Sequence, residues 1–278
     1  MRIAYFASML LTGLFGCASI QELPVSELKV NNPRFSFTTK SYVGSEEEAI
    51  EKMMDAAVFA DQEDAWIEYT VEGKTYFIDV GRYAGVNKIR YTDSSTGEVV
   101  FEIDQKSIQH DWPMVWDILS SLPAGTEVRP YHIHPFEEKF LEKPDRHDLK
   151  FLLDQRTLPS ANDYTAQLQA DVLARKECPQ VKILPARVVG ARGYSEFYTT
   201  EQELGIPEIS PDDEKTLADI QFDIGFRHIT QASFLSPEDT LENAREGLNK
   251  QGLRVTYTIL RDVPEKIKDA ASRVGEEK

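Results

Sequence analysis

The stretch RPYHIHP, residues 129–135, is where the reading of this chain begins. Turn formers at Pro123 and Gly125 precede it and Pro135 closes it, so TEVRPYHIHP reads as a β-strand. Along a strand, residues two apart project from the same face. His132 and His134 therefore stand side by side near the strand's C-terminal end, and Ile133 points the other way into the core. Both imidazoles are within reach of one ion at Zn–N distances of ~2.0–2.1 Å. The chain owns five histidines. A lone H-x-H is a weak motif, and a catalytic zinc needs a third protein ligand beside an open position.

Working outward, the segment GSEEEAIEKMMDAAVFADQED predicts a helix, with Ser45 as N-cap, Glu48 three residues on and an acidic first turn. A β-region follows: AWIEYTV, a turn at Glu72-Gly73, TYFIDV, VNKIRY and EVVFEI. SIQHDWPMVWDILSSLPAG reads as a helix stopped by Pro123 and Gly125, and leads into the H-x-H strand. LPSANDYTAQLQADVLARKE is a helix with Ser160 at its N-cap and Asp163 in its first turn. VKILPARVVG and GYSEFYT are strands. Two helices that begin at Ser-Pro follow, and LRVTYTIL is a last strand. Helices and strands do not alternate regularly, so the fold class is α+β, a mixed β-sheet flanked by helices.

Composition narrows the function. The formal net charge is -16 and no basic stripe is visible, which excludes nucleic acid as a partner, since a binder must neutralise phosphates with clustered Lys and Arg. No G-x-G-x-x-G, P-loop or G-x-S-x-G elbow is present. Residues 1–16 read as a signal peptide, with Arg2 followed by an apolar run from Ile3 to Phe15 that is too short to span a hydrocarbon core. Leu14-Phe15-Gly16-Cys17 resembles a bacterial lipobox. The resemblance implies cleavage before Cys17 and acylation (palmitate among the chains), which anchors the protein to a membrane of the bacterial cell envelope. The absence of aspartate at Ala18 and Ser19 favours the outer membrane. Residues 17–40 then form a lipidated tether. Cys178 is the one other cysteine and reads as packing at a helix end.

The third ligand is found in PSANDY, residues 159–164, where Ser160-x-x-Asp163 sets a hydroxyl at a helix start and a carboxylate one turn further in. Taken alone this is an ordinary capped helix. H-x-H-P followed by S-x-x-D opening the next helix resembles the signature of the JAB/MPN metalloproteases, also called JAMM. That resemblance covers roughly residues 45 to 200 and implies a cytidine-deaminase-like core. It implies zinc held by His132, His134 and Asp163, a serine, Ser160, that stabilises the oxyanion, and an upstream glutamate as base. Glu63, just after the first helix, is the positional match for that glutamate, although Ala65 stands where the family has glycine. Glu68 is the alternative, with a solvent-facing strand position as its ordinary reading.

The family's short gap between proline and serine is here 24 residues long, which makes 136–158 an insertion. Its Lys, Glu and Asp density reads as solvated surface, its tethering to both ligand-bearing elements as a lid, and His147 and Asp148 within it as a further ligand source. The JAB/MPN-like domain then spans 41–205, and 206–278 adds C-terminal helices and a final strand packed on the same domain. The expected function is hydrolysis of a peptide or isopeptide bond in a protein or cell-wall peptide. The alternative is a catalytically inactive JAB-like lipoprotein that serves as a binding or structural module.

Overall fold

Strand β3 (Asp64–Val71) lies in the interior of the sheet, and both of its faces are covered: Trp66 on one side and Ile67 on the other are each 1% exposed. A strand buried on both faces must carry apolar side chains at consecutive positions, which is what AWI supplies. The computed structural model describes residues 26–28, 39–59, 62–92, 99–142, 149–232 and 241–276. Among these, β3 pairs antiparallel with β4 (Lys74–Asp79) and with β7 (Glu127–Ile133). The β3–β4 hairpin turns at Glu72 (φ 51°) and Gly73 (φ 74°). Two successive positive φ values are the type I′ geometry that matches the twist of paired strands, and Gly73 adopts its share without strain.

The main sheet continues from β4 to β2 (Thr39–Val43) and β1 (Ser26–Leu28). On the other side it runs through β9 (Ala186–Val189), β10 (Gly193–Tyr198) and β11 (Arg254–Ile259). Its ladders are antiparallel except at β7, where β9 and the short β8 (Lys182–Ile183) pair parallel. β5 (Gly81–Thr92) and β6 (Val99–His110) form a separate two-stranded ribbon. The architecture is thus mixed α+β, a mixed sheet flanked by helices.

Helices cover both faces. Ala49, Ile50, Met53 and Met54 of α1 (Glu46–Ala56) pack on Trp66, Phe77, Tyr131 and Val189, together with Ile267 of α8 (Glu265–Glu276). Opposite them, Val115 and Leu119 of α2 (Trp112–Ser120) cover Ile67, Ile78 and Val128. Tyr164, Leu168 and Val172 of α4 (Ala161–Glu177) cover Val188, Phe197 and Val255, joined by Ile224 of α6 (Glu214–Ala232) and Leu248 of α7 (Leu241–Lys250). Each such side chain contributes roughly 1.5–3 kcal/mol when fully buried. The parallel β7–β9 pairing requires a crossover. That crossover contains α4, so the H-x-H strand and the S-x-x-D helix belong to one β–helix–β unit.

Several expectations change. The helix expected over residues 107–125 is only Trp112–Ser120, and Ser107 to His110 complete β6. Asp111 caps the helix and Pro113 sits in its first turn, where a missing N–H costs nothing. The described residues of the 136–158 segment are not a solvated surface. Phe136, Phe140, Leu141, Leu152 and Leu153 are buried in the α1–α8 core, the last two from α3 (Leu149–Gln155), and the Phe136 and Phe140 rings stack 5.5 Å apart. Its charges lie between these core positions rather than replacing them. β11 is followed by a further helix, α8. Helix α6 begins three residues beyond Pro211, with Asp213 accepting the Thr216 N–H at 3.0 Å. Cys178 is buried at the end of α4. The signal segment 1–16, Cys17, His147, Asp148 and Ser236-Pro237 lie outside the described residues. No described helix is long and apolar enough to cross a membrane.

Candidate metal centre

The β3–β7 register builds the site. Ala65 pairs with His132 and Asp64 with Ile133, and directly opposed residues share a face of an antiparallel pair. Glu63, two residues before Ala65, falls on the His132 face beside the end of β7. Ile133 turns into the opposite core. Beyond the strand, the His134 N–H donates to the Val189 carbonyl at 2.9 Å, which holds the second histidine in line with β9. Gly81 lies just above, at the root of the β5–β6 ribbon. A Cβ there would come within 2.8 Å of Ile108 Cγ2 on the partner strand, so close packing at the root of the ribbon favours glycine.

Helix α4 delivers the fourth residue through a capping box. Ser160 Oγ accepts the Asp163 N–H at 3.3 Å, and Asp163 Oδ2 accepts the Ser160 N–H at 2.6 Å. The other carboxylate oxygen, Oδ1, lies 2.8 Å from His132 Nδ1, and Oδ2 lies 3.5 Å from His134 Nε2. His132 Nε2 in turn faces Glu63 Oε2 at 3.1 Å. The His132 and His134 rings stand 5.0 Å apart, inclined at 70°.

Glu63 and Asp163 are 1% and 8% exposed, and two buried carboxylates require a cationic or hydrogen-bonding environment. The protein's own answer is a proton. Burial alone would lower His132, but Glu63 and Asp163 outweigh it and raise the imidazole to about 10. Burial would raise Asp163, yet His132 and His134 hold it well below the usual carboxylate range. A metal cation would satisfy the same two carboxylates. Glu63, His132 and His134 each present a ligand atom within 4.8 Å of the other two, so this buried group could hold a metal ion. Two imidazoles sharing one tetrahedral ion at Zn–N ~2.0–2.1 Å stand about 5 Å apart between ring centres, and the observed 5.0 Å fits.

The structure thus brings Glu63, His132, His134, Ser160 and Asp163 together and leaves Glu68 apart. Glu68 pairs with Arg129 on the Trp66 face, the side of β3 turned away from His132. It is not solvent-facing: its Oε2 accepts the Tyr131 hydroxyl at 2.6 Å in a network with Glu46, Arg187, Glu196 and Arg129.

Two histidines at this site were not anticipated. His110, at the end of β6, stacks on Trp112 at 5.2 Å and lies 6.4 Å from the His132 ring. Burial, reinforced by His132, lowers it to about 4, so it is neutral at pH 7. His228 of α6 has its Nε2 2.8 Å from the Pro159 carbonyl, next to Ser160, and burial lowers its pKa. The helix-start signal Asp-x-Pro after His110 would have released that residue from the helix. His228 carries no local signal, because its contact with Pro159 spans 69 residues.

No protein-family model, curated protein or solved structure matches this chain.

Proposed function

We propose that this protein is a zinc-dependent hydrolase of the JAB/MPN type, anchored in a bacterial envelope through Cys17, that cleaves a peptide or isopeptide bond of a protein or cell-wall peptide. The observation that carries the reading is the convergence of the H-x-H strand, the S-x-x-D helix and Glu63 on one buried cluster. His132, His134 and Asp163 would hold the ion. When bound, zinc supplies Lewis acidity, lowering the pKa of water from 15.7 towards about 7 and polarising the substrate carbonyl.

The chain's own residues do the rest. Glu63 takes a proton from the attacking water as the new C–O bond forms, and passes it to the nitrogen as the C–N bond of the resulting tetrahedral oxyanion breaks, so that an acid and an amine leave. Ser160 contributes a hydroxyl for the developing oxyanion. The capping box fixes that serine beside Asp163.

The test is metal analysis of the purified full chain together with hydrolysis assays on peptide and isopeptide substrates, with and without chelator. Stoichiometric zinc and hydrolysis that chelation abolishes and zinc restores are expected. Zinc without hydrolysis would make the chain a metal-bearing binding module. No zinc in the wild type would remove the enzymatic reading.

A further inference from the structure

His228 stands outside residues 45–200, the stretch that carries the JAB/MPN resemblance, and the hydrolysis described above gives it no part. It projects from α6, and its Nε2 lies 2.8 Å from the Pro159 carbonyl oxygen, a contact that spans 69 residues. A carbonyl oxygen only accepts, so Nε2 carries the proton and donates. By itself this contact satisfies one backbone acceptor at a helix start, as such groups require.

The other end of the same peptide unit gives the contact a further consequence. The Pro159 carbonyl and the Ser160 N–H belong to one planar group. That N–H donates to Asp163 Oδ2 at 2.6 Å, and Asp163 Oδ1 lies 2.8 Å from His132 Nδ1. The proline ring fixes φ at Pro159, so the plane turns only about the two bonds that flank it, ψ of Pro159 and φ of Ser160. His228 holds the oxygen end of that plane and Asp163 the nitrogen end. A turn of the plane that broke one hydrogen bond would misdirect the other. The bonds run in line from His228 through the peptide to Asp163 and on to His132, and each polarises the next. Residues just before are pinned as well. The buried Ser195 hydroxyl of β10 donates to the Thr157 carbonyl, and Arg156 Nε donates to the Pro135 carbonyl at 3.2 Å. Of these contacts, only that of His228 falls on the peptide whose N–H holds the candidate ligand.

Resting on the hydrolase reading above, we propose that His228 is a positioning residue of the metal centre: it orients the Pro159–Ser160 peptide, and through that peptide the Asp163 carboxylate that the ion would take as ligand. Helix α6, in the C-terminal part of the chain, then supports the site directly and does not merely pack on the domain.

Two variants of the full chain separate this role from packing. His228→Leu fills the space of the ring without a donor, and His228→Gln restores an N–H at similar reach. Amide hydrogen exchange at Ser160, followed by NMR without metal, reads the peptide plane, and exchange at Leu168, further along α4, reads the fold around it. Cobalt(II) titration followed by visible absorption reads the ligand set. In His228→Leu, Ser160 is expected to exchange about fivefold faster, as one hydrogen bond is lost. Cobalt is expected to bind more weakly by a similar factor, with Leu168 unchanged, and His228→Gln to recover most of both losses. Should His228→Leu fail to fold, as thermal melting would show, His228→Met takes its place. Unchanged exchange at Ser160, equal acceleration at Leu168, no rescue by glutamine, or cobalt affinity equal to wild type would each overturn the proposal and leave His228 a packing residue. A wild type that binds no cobalt would instead strike the hydrolase reading, and exchange at Ser160, which needs no metal, would still decide whether His228 positions Asp163.

Discussion

The Nδ1 of His132 and the Oδ1 of Asp163 lie 2.8 Å apart, although 31 residues separate them in the chain. The contact joins a strand end to a helix start, and it is made by the same carboxylate that caps the helix through its other oxygen. Asp163 thus ties the helix start to the histidine strand through both of its carboxylate oxygens.

Glu63→Gln and Asp163→Asn are expected to separate metal binding from proton transfer. With Glu63 as base, its amide variant keeps zinc and loses about 10²–10⁴-fold in hydrolysis. Asp163→Asn loses both metal and activity. Metal content and initial rates measured in parallel check this. The reverse pattern, in which Glu63→Gln loses the ion and Asp163→Asn keeps it, would exchange the roles of the two carboxylates.

The proton on His132 predicts a pH dependence. Its folded value of about 10 lies above the ordinary imidazole value of 6.5. In the metal-free protein the stability this contributes is fully present below about pH 6.5 and is lost as pH rises through about 10. Metal ligation needs the neutral imidazole, so the ion must displace that proton. Zinc binding at pH 7 is expected to release about one proton from this residue, and affinity should climb with pH up to about 10. Titration calorimetry in buffers of different ionisation enthalpy measures the release. Binding with no proton released would place the ion elsewhere.

The 136–158 segment should behave as core. Phe140 is 2% exposed and Leu153 is fully buried. Phe140→Ala is expected to cost about 3–5 kcal/mol and Leu153→Ala about 2–5 kcal/mol of unfolding free energy, read as lowered urea midpoints. A change within ±0.5 kcal/mol, usual for surface sites, would return the segment to the surface.

The anchor is tested by Cys17→Ser. The variant is expected to lose incorporation of labelled palmitate and to leave the membrane fraction, because the lipobox resemblance rests on that sulfur. Unchanged labelling would end the lipoprotein reading.

Much of the fold could be read from local pattern. AWIEYTV-EG-KTYFID announces a hairpin through its turn residues, and Ser45 and Ser160 announce helices through their capping chemistry. What the pattern could not supply is side-specific or non-local. In 136–158 the charged residues alternate with Phe136, Phe140 and Leu141, and composition averages the two, whereas burial separates them. Helix α8 shows Ile267 and Ala270 at helical spacing, but its stripe is short and acquires meaning only against the α1 side of the core. Glu63 and Glu68 are both plausible from position alone; the β3–β7 register, a long-range property, sets them on different sides of the sheet. His110 was lost to an overlong helix, and with it the ribbon's place at the site.

The capping box also bears on how this protein would handle loss and recovery of an ion. Ser160 and Asp163 hold one another through two hydrogen bonds that need no cation, and His132 is held between two acids by a proton. The candidate metal centre thus sits on a helix start that contacts within the chain hold in place, unlike small zinc domains whose folding waits for the metal. Emptying it should leave the helical signal in circular dichroism unchanged, and refilling should follow a single fast phase with no refolding step. Exchange of one ion for another would then be governed by the chemistry of the donors and the supply of metal, while the chain itself stays in place as a standing receptor.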